Sequence, residues 1–535
     1  MAMSASIMTA HALAVYHHNG EALFSGVSFS LEHQITGLVG KNGAGKSVLA
    51  GILSQQIQPD AGTVRSSANI GCLAQLTNIT QRREMGSVAA FLGLETKLQA
   101  LARIEHGSCA PEDFELVGDD WEIREVLRAR LSAIGLPPDP FQPCQALSGG
   151  ELIRLQLWQL FEGDYDFLIL DEPSNHLDQA GRCWLIQQLH QYCGGVLLIS
   201  HDRQLLREVD RILELTAEGM CQYGGNYTDY VEEKARQQGA ASRALASAEN
   251  QVTQLRRQHQ RSQEKAQQRA VTGKKERRSG SQPKMLLDGK REGAQLSASA
   301  RKVQFSRQLA AAEQRVSEHK ARYVQDKPLQ LKVNAAEKRL SAVLDVTQLT
   351  LRYGQHAPIS FRLTFGDRVH LTGPNGCGKS TLLKTLLGEL QPTAGEAHCR
   401  ASLCYLDQHF SLLDEAQTVL ANLQRLCPDY TETELRTMAA GVGFRRQRAE
   451  LPVGRLSGGE RMKVALLVIS HQPGETLLLL DEPDNHLDLV AKQMLARALH
   501  DHQGPMILVS HDPDFVADVG VQDCLALEPL EKVSP

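Results

Sequence analysis

The 535-residue sequence contains no run approaching the roughly 18 to 20 apolar residues a helix needs to span a bilayer, so no membrane-crossing helix is expected. It contains no C-x-x-C pair. Its eleven cysteines (72, 109, 144, 183, 193, 221, 377, 399, 404, 427 and 524) are scattered and odd in number, which argues against a disulfide framework and for a reducing compartment, the cytoplasm. His398, Cys399 and Cys404 lie close together, but no second matching pair follows, so zinc is not expected. The tandem His17-His18 reads as loop rather than ligand. Met1 to Val15 lacks a basic n-region and runs into a strand-like stretch, so a secretory leader is not expected.

What is present is a phosphate-gripping pattern, twice. Gly40-Lys41-Asn42-Gly43-Ala44-Gly45-Lys46-Ser47 and Gly373-Pro374-Asn375-Gly376-Cys377-Gly378-Lys379-Ser380 both fit G-x-x-x-x-G-K-S. Each follows a strand-like run, Ile35 to Val39 and Arg368 to Thr372, and leads into a helix-like one. That context is a P-loop: glycines let backbone N–H groups curl round a β-phosphate, the lysine neutralises β/γ oxygens, and the serine hydroxyl can ligate Mg²⁺. Val48 and Thr381 follow the two serines. Cys377 stands where the first copy has Ala44, and a thiol beside Lys379 and helix N–H groups is expected to be reactive in the nucleotide-free protein.

The same series follows both copies. After the first come Gln75, Leu147-Ser148-Gly149-Gly150-Glu151, Phe167 to Leu170 with Asp171-Glu172-Pro173, Asp178, and Ser200-His201-Asp202. After the second come Gln408, Leu456-Ser457-Gly458-Gly459-Glu460, Leu477 to Leu480 with Asp481-Glu482-Pro483, Asp488, and Ser510-His511-Asp512. This ordered set resembles the ATP-binding cassette ATPases, with Walker A, Q-loop, signature, Walker B and its glutamate, D-loop and H-loop. The resemblance covers nearly all of the chain outside a central segment.

Spacing locates an insertion. Lys46 to Lys379 and Gln75 to Gln408 are both 333 apart, whereas Ser148 to Ser457 is 309 and His201 to His511 is 310. The first cassette therefore holds about two dozen extra residues between its Q-loop and its signature, a short arm at about 79–120. Leu92 to Leu101 reads as part of a helix, and Pro111, Glu112-Asp113 and Asp119-Asp120 as turn material. Such an arm is either a tolerated surface insertion or a short projection that touches a partner.

Charge is unevenly spread. Residues 251–310 hold 15 Lys+Arg against 4 Asp+Glu, a net of +11, which leaves −16 for the rest of a chain whose total is −5. Within this island Ala241, Leu245, Ala248, Val252 and Leu255 form a helical seam, and Phe305, Leu309, Ala312, Val316, His319 and Tyr323 form another. Facing each other, they predict an antiparallel hairpin of helices about 35 to 40 residues long, reaching roughly 50–60 Å. Its tip, Thr272 to Lys284, carries Lys274, Lys275, Arg277 and Arg278 for phosphate contacts, and Gly273, Gly280 and Pro283 are expected to keep it from being continuous helix.

Two fused cassettes, no membrane span and a basic helical connector resemble the ABC-F proteins. Tyr223-Gly224-Gly225-Asn226-Tyr227-Thr228-Asp229-Tyr230 after the first cassette and Asn-His-Leu-Asp at 175–178 and 485–488 fit that family. The resemblance implies an α/β fold class: two P-loop NTPase (ABC-type) nucleotide-binding domains, 1–230 and 341–535, joined by a long helical-hairpin linker, 231–340. It implies ATP and Mg²⁺ at two sandwiched sites. Site one would combine Tyr16 on adenine, the 40–48 loop, Gln75, Asp171, Glu172 and His201 with Ser457, Gly458 and Gly459. Site two would combine Tyr353, the 373–381 loop, Gln408, Asp481, Glu482 and His511 with Ser148, Gly149 and Gly150. Ser47, Gln75 and Asp171, and likewise Ser380, Gln408 and Asp481, would hold Mg²⁺; Glu172 and Glu482 would polarise water, and His201 and His511 would sense the γ-phosphate. The implied partner is the ribosome, through rRNA and tRNA near the exit and peptidyl sites, with no obligate oligomer. The role would be translation regulation or protection against antibiotics. No long lysine-rich tail follows Leu527. A transporter subunit and a DNA-associated ATPase are the alternatives; the basic connector argues against the first, and co-sedimentation separates all three.

Overall fold

The computed structural model describes residues 7–17, 20–73, 86–175, 177–216, 218–279, 303–320, 342–407, 409–472, 476–485 and 487–528. The chain divides into two compact units, Met1–Thr228 with Leu329–Pro535, and Asp229–Pro328. The first unit contains both cassettes.

Each cassette opens on a three-stranded antiparallel sheet. In the first, β1 (Met8–Tyr16) lies between β2 (Ala22–Leu31) and β4 (Ala61–Ser66); in the second, β10 (Ala342–Thr350) lies between β11 (Ile359–Thr364) and β13 (Ala394–Cys399). A larger sheet carries the chemistry. Its order in the first cassette is β5-β6-β7-β3-β8-β9, formed by β5 (Ile70–Leu73), β6 (Phe167–Asp171), β7 (Gly195–Ile199), β3 (Ile35–Gly40), β8 (Arg211–Thr216) and β9 (Gly219–Gly224). Only the β8/β9 pair is antiparallel. The second cassette has β14 (Leu403–Asp407), β15 (Leu477–Asp481), β16 (Met506–Val509), β12 (Arg368–Thr372) and β17 (Asp523–Ala526) in that order, all parallel.

Parallel strands covered on both faces need unbroken apolar runs, and Phe167-Leu168-Ile169-Leu170 and Leu477 to Leu480 supply them, all fully buried. Because β7 pairs with both β6 and β3, the register brings Asp171 opposite Ile199 and Ile199 opposite Leu38. The P-loop and the Asp171-Glu172 pair thus emerge at one carboxyl edge, where open α/β sheets bind ligands.

The insertion is now assignable. Short α2 (Val88–Phe91) and α12 (Val419–Leu426) start alike: Ser87 caps one and bridges to Pro143, and Thr418 caps the other and bridges to Pro452. Further on, α5 (Ile123–Ala133) and α13 (Glu432–Gly441) begin 309 residues apart, matching the signature serines. The extra residues are therefore α3 (Glu95–Glu105) and α4 (Pro111–Val117). Helix α3 begins later than periodicity suggested, because Gly93 at φ +72° turns the chain after α2. Pro111, Glu112 and Asp113 are helix rather than turn. Proline at the first helical position has its φ preset, and acidic side chains there complement the helix dipole. Asp113 also accepts from Arg103 Nε at 3.0 Å and from Ser108 at 2.8 Å. Asp119-Asp120 does lie in a turn, where Asp120 pairs with Lys97.

Ala100, Leu101 and Val117 close the α3/α4 pair, and Leu98 joins a core with Val88, Leu127, Leu131, Leu152 and Leu155. Phe114, Leu116 and Trp121 remain exposed.

The second unit holds α9 (Tyr227–Ser279) and α10, residues 303–320. Arg256 pairs with Glu313 at 2.7 Å, and the His259 ring stacks on Phe305 with centroids 3.8 Å apart, which makes the pairing antiparallel. Ala248 and Ala312 are buried, and the remaining seam residues among 241–255 and 305–319 are half-buried. Tyr323 lies outside the described residues. The 53 residues of α9, about 80 Å of helix, exceed the expected length. The helix passes through Gly273 to Ser279, so the first part of the expected break is absent. A single glycine costs only about 1 kcal/mol, and its neighbours Lys274, Lys275, Glu276, Arg277 and Arg278 favour helix.

Leu98→Ala is expected to lower stability by about 2–5 kcal/mol, because its buried side chain ties α3 to the cassette core. Denaturant titration checks this, and a loss below about 1 kcal/mol would mean that the inserted pair is not docked.

Candidate active site

Each P-loop is fixed by a glycine where no other residue fits. Gly45 has φ +94°, and a Cβ there would stand 2.9 Å from Leu23 and Phe24; Gly378 has φ +106°, with Leu351 and the Tyr353 carbonyl at 3.0 Å. Helices α1 (Lys46–Leu53) and α11 (Lys379–Leu386) start immediately after, so their free N–H groups face the loop. The Lys46 ammonium is buried and donates to the carbonyls of Gly40 (2.9 Å) and Lys41 (3.2 Å). Lys379 does the same with Gly373 (2.7 Å) and Pro374 (3.2 Å). Gly43 and Gly376 adopt positive φ.

The opposite wall comes from the ends of β6 and β15. Burial raises the Asp171 and Asp481 carboxyls, and the nearby hydroxyls of Ser47 and Ser380 act in the opposite direction. Tyr405 adds a hydroxyl donor to Asp481 at 3.2 Å. Glu172 and Glu482 sit at φ +50° and +49°. Such conformations are uncommon for non-glycine residues and gather at active sites. Bonds from the Glu172 N–H to Ile199 O (2.8 Å) and from the Glu482 N–H to Val509 O (3.0 Å) hold them. The carboxylates lie 3.7 Å from His201 Nε2 and 3.5 Å from His511 Nε2.

The two glutamates differ electrostatically. Burial pushes the Glu172 carboxyl up to about 7, with Lys46 and Lys492 opposing and Asp171 assisting. For Glu482 burial also acts upward, but His511, Lys379 and Asn485 outweigh it and leave the carboxyl below its ordinary value. Burial, then Lys46 and Lys492, holds His201 well below the ordinary imidazole range, so its ring is neutral. Both His201 ring nitrogens are buried without a hydrogen-bond partner among the described residues. Buried polar atoms seldom lack partners, so a ligand oxygen at this point fits.

Two cavities meet these walls. The first, about 470 Å³, is lined by Asn42, Lys46, Ser47, Asp171, Glu172 and His201, and from the second cassette by Asp484, Asn485, Leu487 and Lys492. The second, about 360 Å³, is lined by Tyr353, Lys379, Ser380, Thr381, Glu482 and His511, and from the first cassette by Ser148, Gly149, Gly150 and Arg182. Each cavity therefore draws on both cassettes. Ser148 forms a capping box with Glu151 at the start of α6 (Gly149–Glu162), aiming that helix end at the second cavity. Ser457, Gly458 and Gly459, at the start of α14 (Gly458–Ser470), are not in the lining of the first cavity. There the Asp488 carboxylate accepts from the Asn42 N–H at 3.0 Å.

Val48, Gly43 and Gly45 line the first cavity, and Asn375, Gly376 and Gly378 the second, whereas Gly40, Lys41, Ala44, Gly373, Pro374 and Cys377 are in neither lining. Tyr353 is exposed at its cavity's edge with Arg352 5.5 Å from its ring. Tyr16 is exposed and does not line the first cavity, where His17 does. Gln75 and Gln408 lie outside the described residues. The expectation for Cys377 is corrected: the thiol is 1% exposed, and burial raises it despite Lys379 and the neighbouring N–H groups.

Sequence reasoning missed Tyr405 and two buried cations, Arg182 on α7 (Gln179–Gln191) and Lys492 on α15 (Leu489–Asp501). Arg182 pairs with Asp202 at 3.0 Å and Lys492 with Asp512 at 2.9 Å. The available signal was position: each lies four residues after a D-loop aspartate. Across the boundary, α8 (Arg203–Arg207) meets α16 (Pro513–Val519), with Arg203 on Asp518 at 2.5 Å and Arg207 bidentate on Asp514 at 2.7 and 2.8 Å.

Two P-loop sheets whose sites each take residues from the other half define a tandem ATP-binding-cassette ATPase. The family model described as ABC transporter matches residues 24–175 and 356–485. Escherichia coli K12 "Probable ATP-binding protein YheS" is 31% identical over 520 residues, 94% of this chain and 75% of that protein. "Energy-dependent translational throttle protein EttA" of Mycobacterium tuberculosis is 31% identical over 508 residues, 90% and 84%. Among solved structures, archaeal ribosome recycling factor aABCE1, in complex with ribosomal stalk protein aP1, superposes with TM-score 0.56 at 17% identity, covering 97% of this chain and 87% of that one; this likeness bears on fold alone. The chain belongs to the ABC-F branch of the ATP-binding cassette family.

In the nucleotide-free native protein a maleimide reagent is expected to label exposed Cys109, Cys183, Cys193, Cys221 and Cys524 and to spare Cys377. Peptide mass mapping reads this directly; early labelling of Cys377 would contradict its burial.

Proposed function

We propose that this chain is a cytoplasmic ATPase that binds the ribosome and regulates translation, using ATP at two composite sites to close and ATP hydrolysis to release. The observation that carries the reading is the pairing of shared-wall ATP cavities with a basic antiparallel hairpin, in a chain whose described helices include none long and apolar enough to cross a membrane. The EttA relative, named a translational throttle, supports it.

In this reading Lys46 and Lys379 neutralise the β/γ oxygens. Ser47 with Asp171, and Ser380 with Asp481, offer the hydroxyl-plus-carboxylate oxygen sets that suit Mg²⁺, with Gln75 and Gln408 as further ligands; the ion would neutralise phosphate charge. Glu172 and Glu482 orient the attacking water, while His201 and His511 face the γ-phosphate. Signature residues Ser148 to Gly150 already line site two, and Ser457 to Gly459 would reach site one on closure. Lys274, Lys275, Arg277 and Arg278 would contact phosphates of rRNA and of tRNA near the exit and peptidyl sites. The exposed Phe114, Leu116 and Trp121 of the inserted pair would offer a second contact. Protection against antibiotics would use the same hairpin, and growth on ribosome-targeting drugs with and without the protein separates that role from pacing of translation.

Glu172→Gln with Glu482→Gln is expected to bind ATP, stay closed and inhibit translation, because closing needs nucleotide and reopening needs hydrolysis. If the double variant does not pellet with ribosomes in ATP, the ribosome reading fails; pelleting with membranes or DNA instead would indicate the transporter or DNA alternative. Replacing Lys274, Lys275, Arg277 and Arg278 with Ala is expected to weaken ribosome binding and flatten its salt dependence while sparing ATP hydrolysis. Salt titration of co-sedimentation tests this, and an unchanged slope would reduce the tip to a spacer.

A further inference from the structure

Five buried charged side chains meet where the cassettes abut: Arg182 and Asp202 from the first and Asp484 and Lys492 from the second, all four in the lining of the first cavity, with Asp512 paired to Lys492. Lys492 sits 2.9 Å from Asp512 and 3.9 Å from Asp484; Arg182 sits 3.0 Å from Asp202. Asp202 is felt at Lys492, and Arg182 at Asp484, so the two pairs act as one cluster across the boundary. It holds two cations and three carboxylates, because Asp484 has the uncharged Ser174 as its counterpart. Arg182 Nη1, Asp202 Oδ2 and Asp484 Oδ1 are buried yet lack an aligned hydrogen-bond partner among the described residues. Buried ion pairs contribute little stability unless fully hydrogen-bonded, so this arrangement calls for another explanation.

Arg182 has a second distinction. It lines both cavities, a property it shares with Asn485, whose side-chain amide donates to Glu482. Its ion-pair partner Asp202 directly follows His201, the histidine of the first site. One guanidinium thus stands in the wall of the second site while holding the chain segment that carries the histidine of the first.

We propose that Arg182 is a positioning residue shared by the two ATP sites, one that makes nucleotide binding at each depend on nucleotide at the other. A triphosphate on Lys379 brings negative charge to the second cavity and competes with Asp202 for the guanidinium, whose fork of donors suits phosphate oxygens. Any shift in the Arg182–Asp202 pair is delivered to His201. Thermodynamic linkage makes the effect reciprocal. This rests on the ATP-site assignment above.

The test measures KM for ATP at site one with site two either filled, using Glu482→Gln, or emptied, using Lys379→Met. With Arg182 intact, filling site two is expected to lower KM by about fivefold or more. Arg182→Met should bring the ratio of the two KM values close to unity, and Arg182→Lys, which keeps the charge as Lys492 does, should retain most of it. An unchanged ratio in Arg182→Met, or no difference with Arg182 intact, overturns the proposal. Because Arg182→Met leaves Asp202 buried without its cation, Arg182→Met with Asp202→Asn serves if the single variant does not fold, with the same two readings. The ATP-site assignment fails separately: Glu172→Gln added to Glu482→Gln would then leave turnover intact.

Discussion

The constraint on which the rest depends is the burial of an ammonium group in each P-loop. Lys46 and Lys379 are only 8% and 7% exposed, and burial favours loss of the proton at Lys46. Removing a charge from water is tolerable only with paired or hydrogen-bonding groups close by. The loop carbonyls supply part of this, which requires the tight loop that Gly45 and Gly378 permit. Carboxylates supply the rest at Lys46: Glu172, Asp488 and Asp171 all favour its charged form. One of these, Asp488, belongs to the other cassette. The chemistry of the first site therefore already contains the requirement that the two cassettes abut.

The sheet order serves the same end. Placing β7 between β6 and β3, and β16 between β15 and β12, sets the acidic pair one strand away from the loop and leaves room for a ligand between them. The strained backbone at Glu172 and Glu482 turns each carboxylate off the strand end toward the histidine, at a cost of order 1–3 kcal/mol that the surrounding hydrogen bonds offset.

Much of this was legible in the sequence because phosphate-binding backbones tolerate few alternatives: glycine, lysine and serine recur at fixed spacing, and the apolar runs ending in Asp171 and Asp481 announce parallel strands. The misses share a physical cause. Arg182 and Lys492 look like ordinary surface charges on amphipathic helices, and only the opposing cassette buries them. Tyr405 corresponds to Cys72, so the repeat gave no hint of a tyrosine bonding Asp481. Pro111 and Gly273 are helix breakers by residue type, but position decides: proline starts a helix well, and one glycine among strong helix formers does not stop one. For Cys377, proximity to positive charge was visible while burial, the larger effect, was not.

The two sites are alike in parts and unlike in environment. The first is met by Asp488 and Lys492, the second by Ser148, Gly149, Gly150 and Arg182. Asp178, the counterpart of Asp488, is engaged in its own cassette, 3.1 Å from Arg154. The difference follows from side chains rather than backbone, since both D-loop aspartates also cap their helices in the same way, through Gly181 and Ala491. The carboxyls of Glu172 and Glu482 are displaced in opposite directions because their surroundings differ: Asp171 adds to burial at Glu172, whereas His511, Lys379 and Asn485 overcome it at Glu482. The two sites thus repeat the same loop and acidic residues while differing in the walls that the opposite cassette supplies, so an equal electrostatic response to a triphosphate is not built into them.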